Sequence, residues 1–308
     1  MNKKIVIFGC QKIAVDIIKF LKKKQQISIG LVVSYPLLYD KIYGYPNLEE
    51  YCKKNGFPFL HSSPNNILLK KIKKINPDLI LSIYYRKIFN KNYTSYFKNK
   101  IINFHPSYLP FYKGSTPTAW CLLNNEKKTG VTIHFCNEKI DQGNILVQEK
   151  FKIPDKITGY ELSNFCMNKL LKLFKKNFFN ILSGSIKSFK QKKIKSFFKK
   201  IPPVASIDWN KNAKDIVSII KVYSKPYSMA QFKVLNKIGF INKAKIINNI
   251  KIKNKRPGTI LGLKKDKPII CSLDKAILIE EYYFQPSLKR KEIFNYFKVG
   301  SVIDSYKT

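Results

Sequence analysis

The chain is short of arginine, histidine and acidic residues, and each shortage narrows what it can do. Only Arg86, Arg256 and Arg290 are arginines, so lysine supplies 55 of the 58 basic residues, against 19 acidic ones and a formal net charge of +39. A surface selected to grip phosphates tends to keep arginine for its two-point contacts. Lysine, isoleucine and asparagine are instead abundant along the whole chain, as an AT-rich coding sequence would produce. The charge therefore reads as compositional bias rather than a nucleic-acid footprint, although it would attract any anionic substrate. Three histidines without close His, Cys or Asp spacing give no metal site. Six scattered cysteines (Cys10, Cys52, Cys121, Cys136, Cys166, Cys271) exclude a CxxC zinc ribbon or dithiol and do not form a secreted disulfide framework. No apolar run approaches the ~18 residues that span a bilayer, and residues 1–8 are too short for a signal-peptide core. A cytoplasmic protein with no membrane insertion is the expectation.

What is present is a chain of 308 residues with 44% apolar and 14% aromatic residues, enough for one large domain or two. Short apolar runs at 3–8, 27–33, 57–60, 79–83 and 100–104 alternate with helical patterns, which predicts parallel βαβ units. The single Gly9 after the first run is not a GxGxxG fingerprint, so a Rossmann-like sheet is expected without a dinucleotide. Strands follow at 130–135 and 144–151, then a long helix from about 158 to 182. Residues 183–203 read as a connector, basic in KSFKQKKIKSFFKK and closed by Pro202-Pro203. A second unit starts at Asp208-Trp209, with a helix over 212–223 and five short strands from 229 to 283 that suggest a small OB-like β-barrel. The expected organisation is a catalytic domain over 1–186, a basic linker over 187–204 and a C-terminal OB-like domain over 205–308.

The chemistry concentrates in residues 101–149. Asn103 and His105 stand two apart on a strand, which puts both side chains on one face. They lie where the strand runs into a Pro/Gly-rich loop, the carboxyl edge at which open α/β sheets keep their sites. Asp141 sits in a turn-forming stretch, NEKIDQG, between two later strands. A neutral imidazole can take a proton, a nearby carboxylate raises its pKa and orients it, and an asparagine amide can donate to a developing oxyanion. No nucleophile elbow is present, so direct transfer between bound substrates is more natural than a covalent intermediate. His61 and His134 read as packed or hydrogen-bonded residues. Segment 187–200 reads as a solvated basic face.

Four motifs in order carry a family resemblance: Asn103-Phe-His105-Pro-Ser107-Tyr-Leu109-Pro110, Gly114-Ser-Thr-Pro117, Thr129-Gly-Val-Thr132 and Asp141-Gln-Gly143. Together they resemble the core of the folate-dependent formyltransferases. Ile207-Asp208-Trp209, Tyr223-Ser-Lys-Pro226 and Pro257-Gly258 resemble the C-terminal unit of longer members more weakly. The resemblance implies 10-formyltetrahydrofolate as donor and an amine that attacks its formyl carbon to give a tetrahedral intermediate. By the same resemblance Asn103 stabilises the oxyanion, His105 shuttles the proton, and Asp141 raises and orients His105. It implies that the loop Asn137, Glu138, Lys139, Ile140, Asp141 and the loop around Ser115 cradle the folate. Tyr84, Tyr85 and Arg86 in SIYYR would line the pterin pocket, although either tyrosine could instead be a core residue. Lys113 stands where relatives usually have arginine, and Ser115 where some do, so the resemblance implies an altered folate or phosphate contact there.

The acceptor follows from smaller features. The basic insertion and the SLLP-type run that resemblance to methionyl-tRNA formyltransferases would require are missing. SYPLLYDKIYGYPNLEEY, SIYYR and PTAWCLLNNEKKTGVTIH are more similar to sugar-nucleotide formyltransferases, including the lipid A aminoarabinose-modifying type. A nucleotide-linked amino sugar is therefore the expected acceptor. Initiator methionyl-tRNA is the alternative, since a C-terminal barrel and a basic surface suit RNA, and a non-catalytic nucleic-acid-binding protein is a remote third. A homodimer stays open.

Overall fold

The computed structural model describes residues 2–35, 44–202, 204–287 and 295–304. Most of the aromatic loop after Ser34, together with Pro203 and Arg290, lies outside the described residues. Two compact units emerge: Met1–Pro117, Lys128–Lys152 and Ser163–Lys199 form the first, and Thr118–Lys127, Ile153–Leu162 and Lys200–Thr308 the second.

In chain order the elements begin β1 (Lys3–Gly9), α1 (Gln11–Lys22), β2 (Ile27–Ser34), α2 (Leu48–Lys54), β3 (Phe59–His61), α3 (Asn66–Ile75), β4 (Leu79–Ile83) and α4 (Lys91–Tyr96). They continue with β5 (Ile101–His105), β6 (Lys113–Gly114), α5 (Pro117–Leu123), β7 (Lys128–Phe135), β8 (Ile145–Lys152), α6 (Gly159–Ser183) and β9 (Phe197–Phe198). The first unit is built on a seven-stranded sheet in the order β3-β2-β1-β4-β5-β7-β8. Its first five strands are parallel. β7 and β8 extend the edge antiparallel. Central strands buried on both faces need continuous apolar runs, and Ile5–Phe8 and Leu79–Ile83 are buried throughout.

The abundant asparagines do structural work as helix caps. Asn47 accepts from the backbone N–H groups of Glu49 and Glu50, Asn65 from that of Leu68 and Asn90 from that of Tyr93, starting α2, α3 and α4. Each satisfies amides that the first helical turn leaves without partners. One sheet face is closed by Phe8, Leu68, Ile72, Tyr85, Phe89 and Tyr93. On the other, Phe20 of α1, Phe104 of β5 and Phe174 and Phe178 of α6 meet edge to face.

The second unit holds β10 (Ala205–Ser206), α7 (Ala213–Tyr223), β11 (Ala230–Val234), β12 (Lys237–Ile247), β13 (Ile260–Lys264), β14 (Lys267–Cys271) and β15 (Ala276–Gln285). Its sheet runs β10-β11-β12-β15-β14-β13, antiparallel except for β10 on β11. The small C-terminal β domain anticipated from the five short runs is thus present. Trp209, Ile216, Ile220, Phe232, Ile241, Ile277 and Phe297 fill its core. Phe232 stands opposite Gly239, and its ring occupies the space that a Cβ on Gly239 would need.

Phe232→Ala should destabilise this unit by about 3–5 kcal/mol, the usual cost of emptying a buried aromatic site. Urea denaturation followed by circular dichroism would show the lowered midpoint.

Candidate active site

The first unit's strand order reverses between β1 and β4, so the carboxyl ends of β1, β4 and β5 border the crevice where open α/β sheets bind ligands. Ser82 of β4 pairs with Asn103 of β5, and Ser82 Oγ donates to Asn103 Oδ1 at 2.9 Å. That bond occupies the amide oxygen and turns Asn103 Nδ2 the other way. Nδ2 then lies 3.2 Å from His134 Nε2 and 3.4 Å from Asp141 Oδ1. The antiparallel β5–β7 register does the rest, setting Asn103 opposite His134 and His105 opposite Thr132.

Carbonyl partners assign both imidazoles, because a carbonyl oxygen only accepts. His134 Nδ1 lies 2.8 Å from the Phe135 carbonyl and donates to it, which leaves Nε2 facing the Asn103 amide at 3.2 Å. His105 Nε2 lies 2.9 Å from the Tyr112 carbonyl and carries its proton. Its Nδ1, bare in the neutral ring, faces Asp141 Oδ2 at 3.5 Å. The other Asp141 oxygen is 3.5 Å from His134 Nε2.

Asp141 is a largely buried carboxylate with four neighbours, Asn103, His105, His134 and the Gly114 N–H. Burial is the largest influence and disfavours its charge, but His105, His134 and the Gly114 N–H, which donates to Oδ2 at 2.8 Å, together outweigh it. Its carboxyl is held well below the usual carboxylate range. For His105 the balance runs the other way: burial lowers its pKa by more than Asp141 raises it. Asp141 does act to raise the histidine, as expected, but the opposing desolvation of a nearly sealed ring is larger. A neutral imidazole beside an ionised carboxylate results, which is the protonation state of a general base.

The loops meet here for identifiable reasons. Asp141 adopts a left-handed φ of 54°, and a Cβ on Gly143 would collide with the Phe135 carbonyl. Gly114, with φ 99°, brings its N–H to Asp141 where a side chain would strike the Phe198 carbonyl. Thr132 donates to the Ser107 carbonyl at 2.8 Å and accepts from the Leu109 N–H at 3.1 Å, pinning the loop after His105. Ser107 Oγ closes the same loop on the Phe111 carbonyl at 2.7 Å.

The structure brings Asn103, His105 and Asp141 together. Ser115 is exposed directly after Gly114, and its N–H donates to the Phe198 carbonyl. Asn137, Glu138, Lys139 and Ile140 form an exposed approach to Asp141, with Asn137 accepting from the Lys139 N–H. Tyr84 follows β4 with φ 53° and Arg86 is exposed. Tyr85 belongs to the core: it is 7% exposed, donates to the Ser62 carbonyl and packs on Phe8 and Tyr35. His134, read from the sequence as a packing residue, is buried but joins the cluster. Ser82 and Gln191, whose amide donates to the Asp141 and Gly143 carbonyls, carried no signal in spacing. Among the described residues no helix is long and apolar enough to cross a membrane.

Residues 3–174 match the formyl transferase family and residues 201–297 the formyl transferase C-terminal domain. The chain belongs to the formyl transferase family. It is 33% identical over 270 residues to the bifunctional polymyxin resistance protein ArnA of Wigglesworthia glossinidia brevipalpis, covering 83% of this chain but only 39% of that longer protein. It is 27% identical to the methionyl-tRNA formyltransferase of Clostridioides difficile, covering 98% of each. Among solved structures, WlaRD, a sugar 3N-formyl transferase studied in the presence of dTDP and 5-N-formyl-THF, superposes with a TM-score of 0.69 at 25% identity. That match covers 90% of this chain and 97% of WlaRD.

Both depressed pKa values bind fewer protons in the folded state, so stability must fall on acidification. The His105 contribution is complete above its unfolded pKa of about 6.5 and is lost as pH drops toward its lower folded value. That of Asp141 is lost at more acid pH, below its unfolded value. Urea unfolding of the wild type between pH 7.5 and about 5 should therefore show declining stability, and His105→Gln should flatten that segment.

Proposed function

We propose that this chain transfers a formyl group from 10-formyltetrahydrofolate to the primary amine of a nucleotide-linked amino sugar. The observation that carries formyl transfer is the joint placement of Asn103, His105 and Asp141 at the carboxyl edge of β5. The residues suit a folate donor: an amide donor and a neutral base stand side by side, and the exposed stretch 137–140 leads straight into Asp141. The bound donor supplies an activated formyl carbon for attack by the amine. Asn103 Nδ2, oriented through Ser82, donates to the oxygen on which negative charge develops. His105 takes the amine proton at Nδ1 and returns it to N10 of the folate as the formyl carbon–N10 bond breaks and tetrahydrofolate leaves, and the Asp141 carboxylate stabilises the intervening imidazolium. Its Nε2–H stays on the Tyr112 carbonyl throughout, which holds the ring plane.

The sugar acceptor is supported by the similarity to WlaRD over nearly its whole length and by the SIYYR and PTAWCLLNNEKKTGVTIH stretches. Full-length similarity to a methionyl-tRNA formyltransferase favours the second reading, initiator methionyl-tRNA. The deciding experiment offers 10-formyltetrahydrofolate with charged initiator tRNA and with UDP- and dTDP-linked 3-amino and 4-amino sugars. Transfer to a sugar alone establishes the first reading, and transfer to the tRNA alone replaces it with the second.

His105→Ala and Asp141→Ala should each lower turnover by orders of magnitude in a protein that still folds. Asn103→Ala should reduce kcat by about 10²–10³-fold, or roughly 3–4 kcal/mol, with donor affinity preserved. Single-turnover kinetics would separate the two terms, and an equal fall in donor affinity would reassign Asn103 to binding.

A further inference from the structure

The segment that follows α6 looks from its composition like a solvated basic connector, yet the structure fastens it along the active site. The Phe189 and Ile145 backbones exchange hydrogen bonds at 2.9 and 3.0 Å. Further on, β9 pairs with β6, setting Phe197 beside Lys113 and Phe198 beside Gly114. Ser196 takes part twice: its Oγ accepts from the Tyr112 N–H at 2.7 Å and its carbonyl from the Lys113 N–H at 3.1 Å. Buried Lys113 returns the contact through Nζ to the Ile194 carbonyl at 3.2 Å. Between these anchors Gln191 Nε2 donates to the Asp141 carbonyl at 2.9 Å and the Gly143 carbonyl at 2.8 Å.

We propose that Gln191 is a positioning residue for Asp141 and that segment 189–199 is a strap which completes the active site. The physical need is visible in the loop itself. Asp141 is held at a positive φ, a backbone conformation that carries a cost for a residue with a Cβ and that an outside constraint helps to hold. One Gln191 amide, bridging the carbonyls on either side of Gln142, supplies that constraint. Only its NH2 end can face two carbonyls, which fixes the amide's orientation, and its buried Oε1 has no hydrogen-bond partner among the described residues. A buried acceptor left bare is costly, so the side chain is placed there for its donors. At the far end of the strap, Ser196 and β9 hold the 112–115 turn, whose Tyr112 carbonyl and Gly114 N–H grip His105 and Asp141. The strap thus sets the distance between the base and its carboxylate from both sides. This rests on the reading in which Asp141 works through His105.

The test uses the full chain with Gln191→Met, which keeps the volume and removes the donors, and Gln191→Glu. The Met substitution should lower kcat by about 10- to 100-fold, the scale of a sub-ångström misplacement, with the donor KM little changed. Hydrogen exchange should accelerate at the amides of 141–143 and Gly114 while those of β1 and β4 keep their protection. In Gln191→Glu an ionised carboxylate repels both carbonyls, whereas its protonated form can donate to one of them. The variant-to-wild-type ratio of kcat should therefore rise as pH falls, which a filler of space would not show. Wild-type turnover in the Met variant, or exchange that rises evenly over the whole unit, overturns the proposal. If the wild type forms no product with any offered amine but the local exchange response is seen, the acceptor reading fails and the strap stands.

Discussion

A single ionised carboxylate, that of Asp141, organises the catalytic half of the molecule. Buried charge is tolerated only when donors meet it, and here one oxygen accepts from the Gly114 N–H and the other from the Asn103 amide, with His105 and His134 beside them. Those partners come from separate stretches of chain, so satisfying one carboxylate requires the strand after α4, the 112–115 turn, the antiparallel strand β7 and the NEKIDQG loop to arrive together. The left-handed residues and obligate glycines around it are the backbone cost of that convergence.

The antiparallel edge of the sheet is the second determinant. A purely parallel continuation would have sent the chain away from β5 through a crossover, without the direct return that sets His134 beside Asn103. By turning back, β7 sets His134 and Thr132 directly across from Asn103 and His105. His134 thereby joins Asn103 in the cluster, while Thr132 holds the loop after His105 through its bonds to Ser107 and Leu109. The same sealing explains the protonation pattern. Water is excluded from His105, so its neutral form is favoured even beside a carboxylate that attracts the charged one.

The composition that dominates the sequence matters less to the fold than its bulk suggests. Asparagine, plentiful throughout, is used at three helix starts. Lysine stays largely at the surface, with Lys113 as a buried exception whose ammonium serves a backbone carbonyl. The basic run after α6 is where composition misleads: its charges describe its solvent side, while its backbone and Gln191 face the active site.

By itself the sequence determined the order of the main elements and put Asn103, His105 and Asp141 forward as candidates, because hydrophobic period, turn residues and motif order are local properties. Apolar runs that must be buried on both faces announce central parallel strands wherever they occur, and a strand-end Asn-x-His announces two side chains on one face. Tertiary structure alone decided which residues surround that pair. Ser82 and His134 enter through strand register, Tyr85 leaves for the core because its ring fits between Phe8 and Tyr35, and Gln191 arrives from 50 positions away. Even the direction of the His105 shift was a tertiary outcome. Nearness to a carboxylate could be inferred from the motif, but the burial that outweighs it exists only once the sheet, the loop and the strap have closed around the ring.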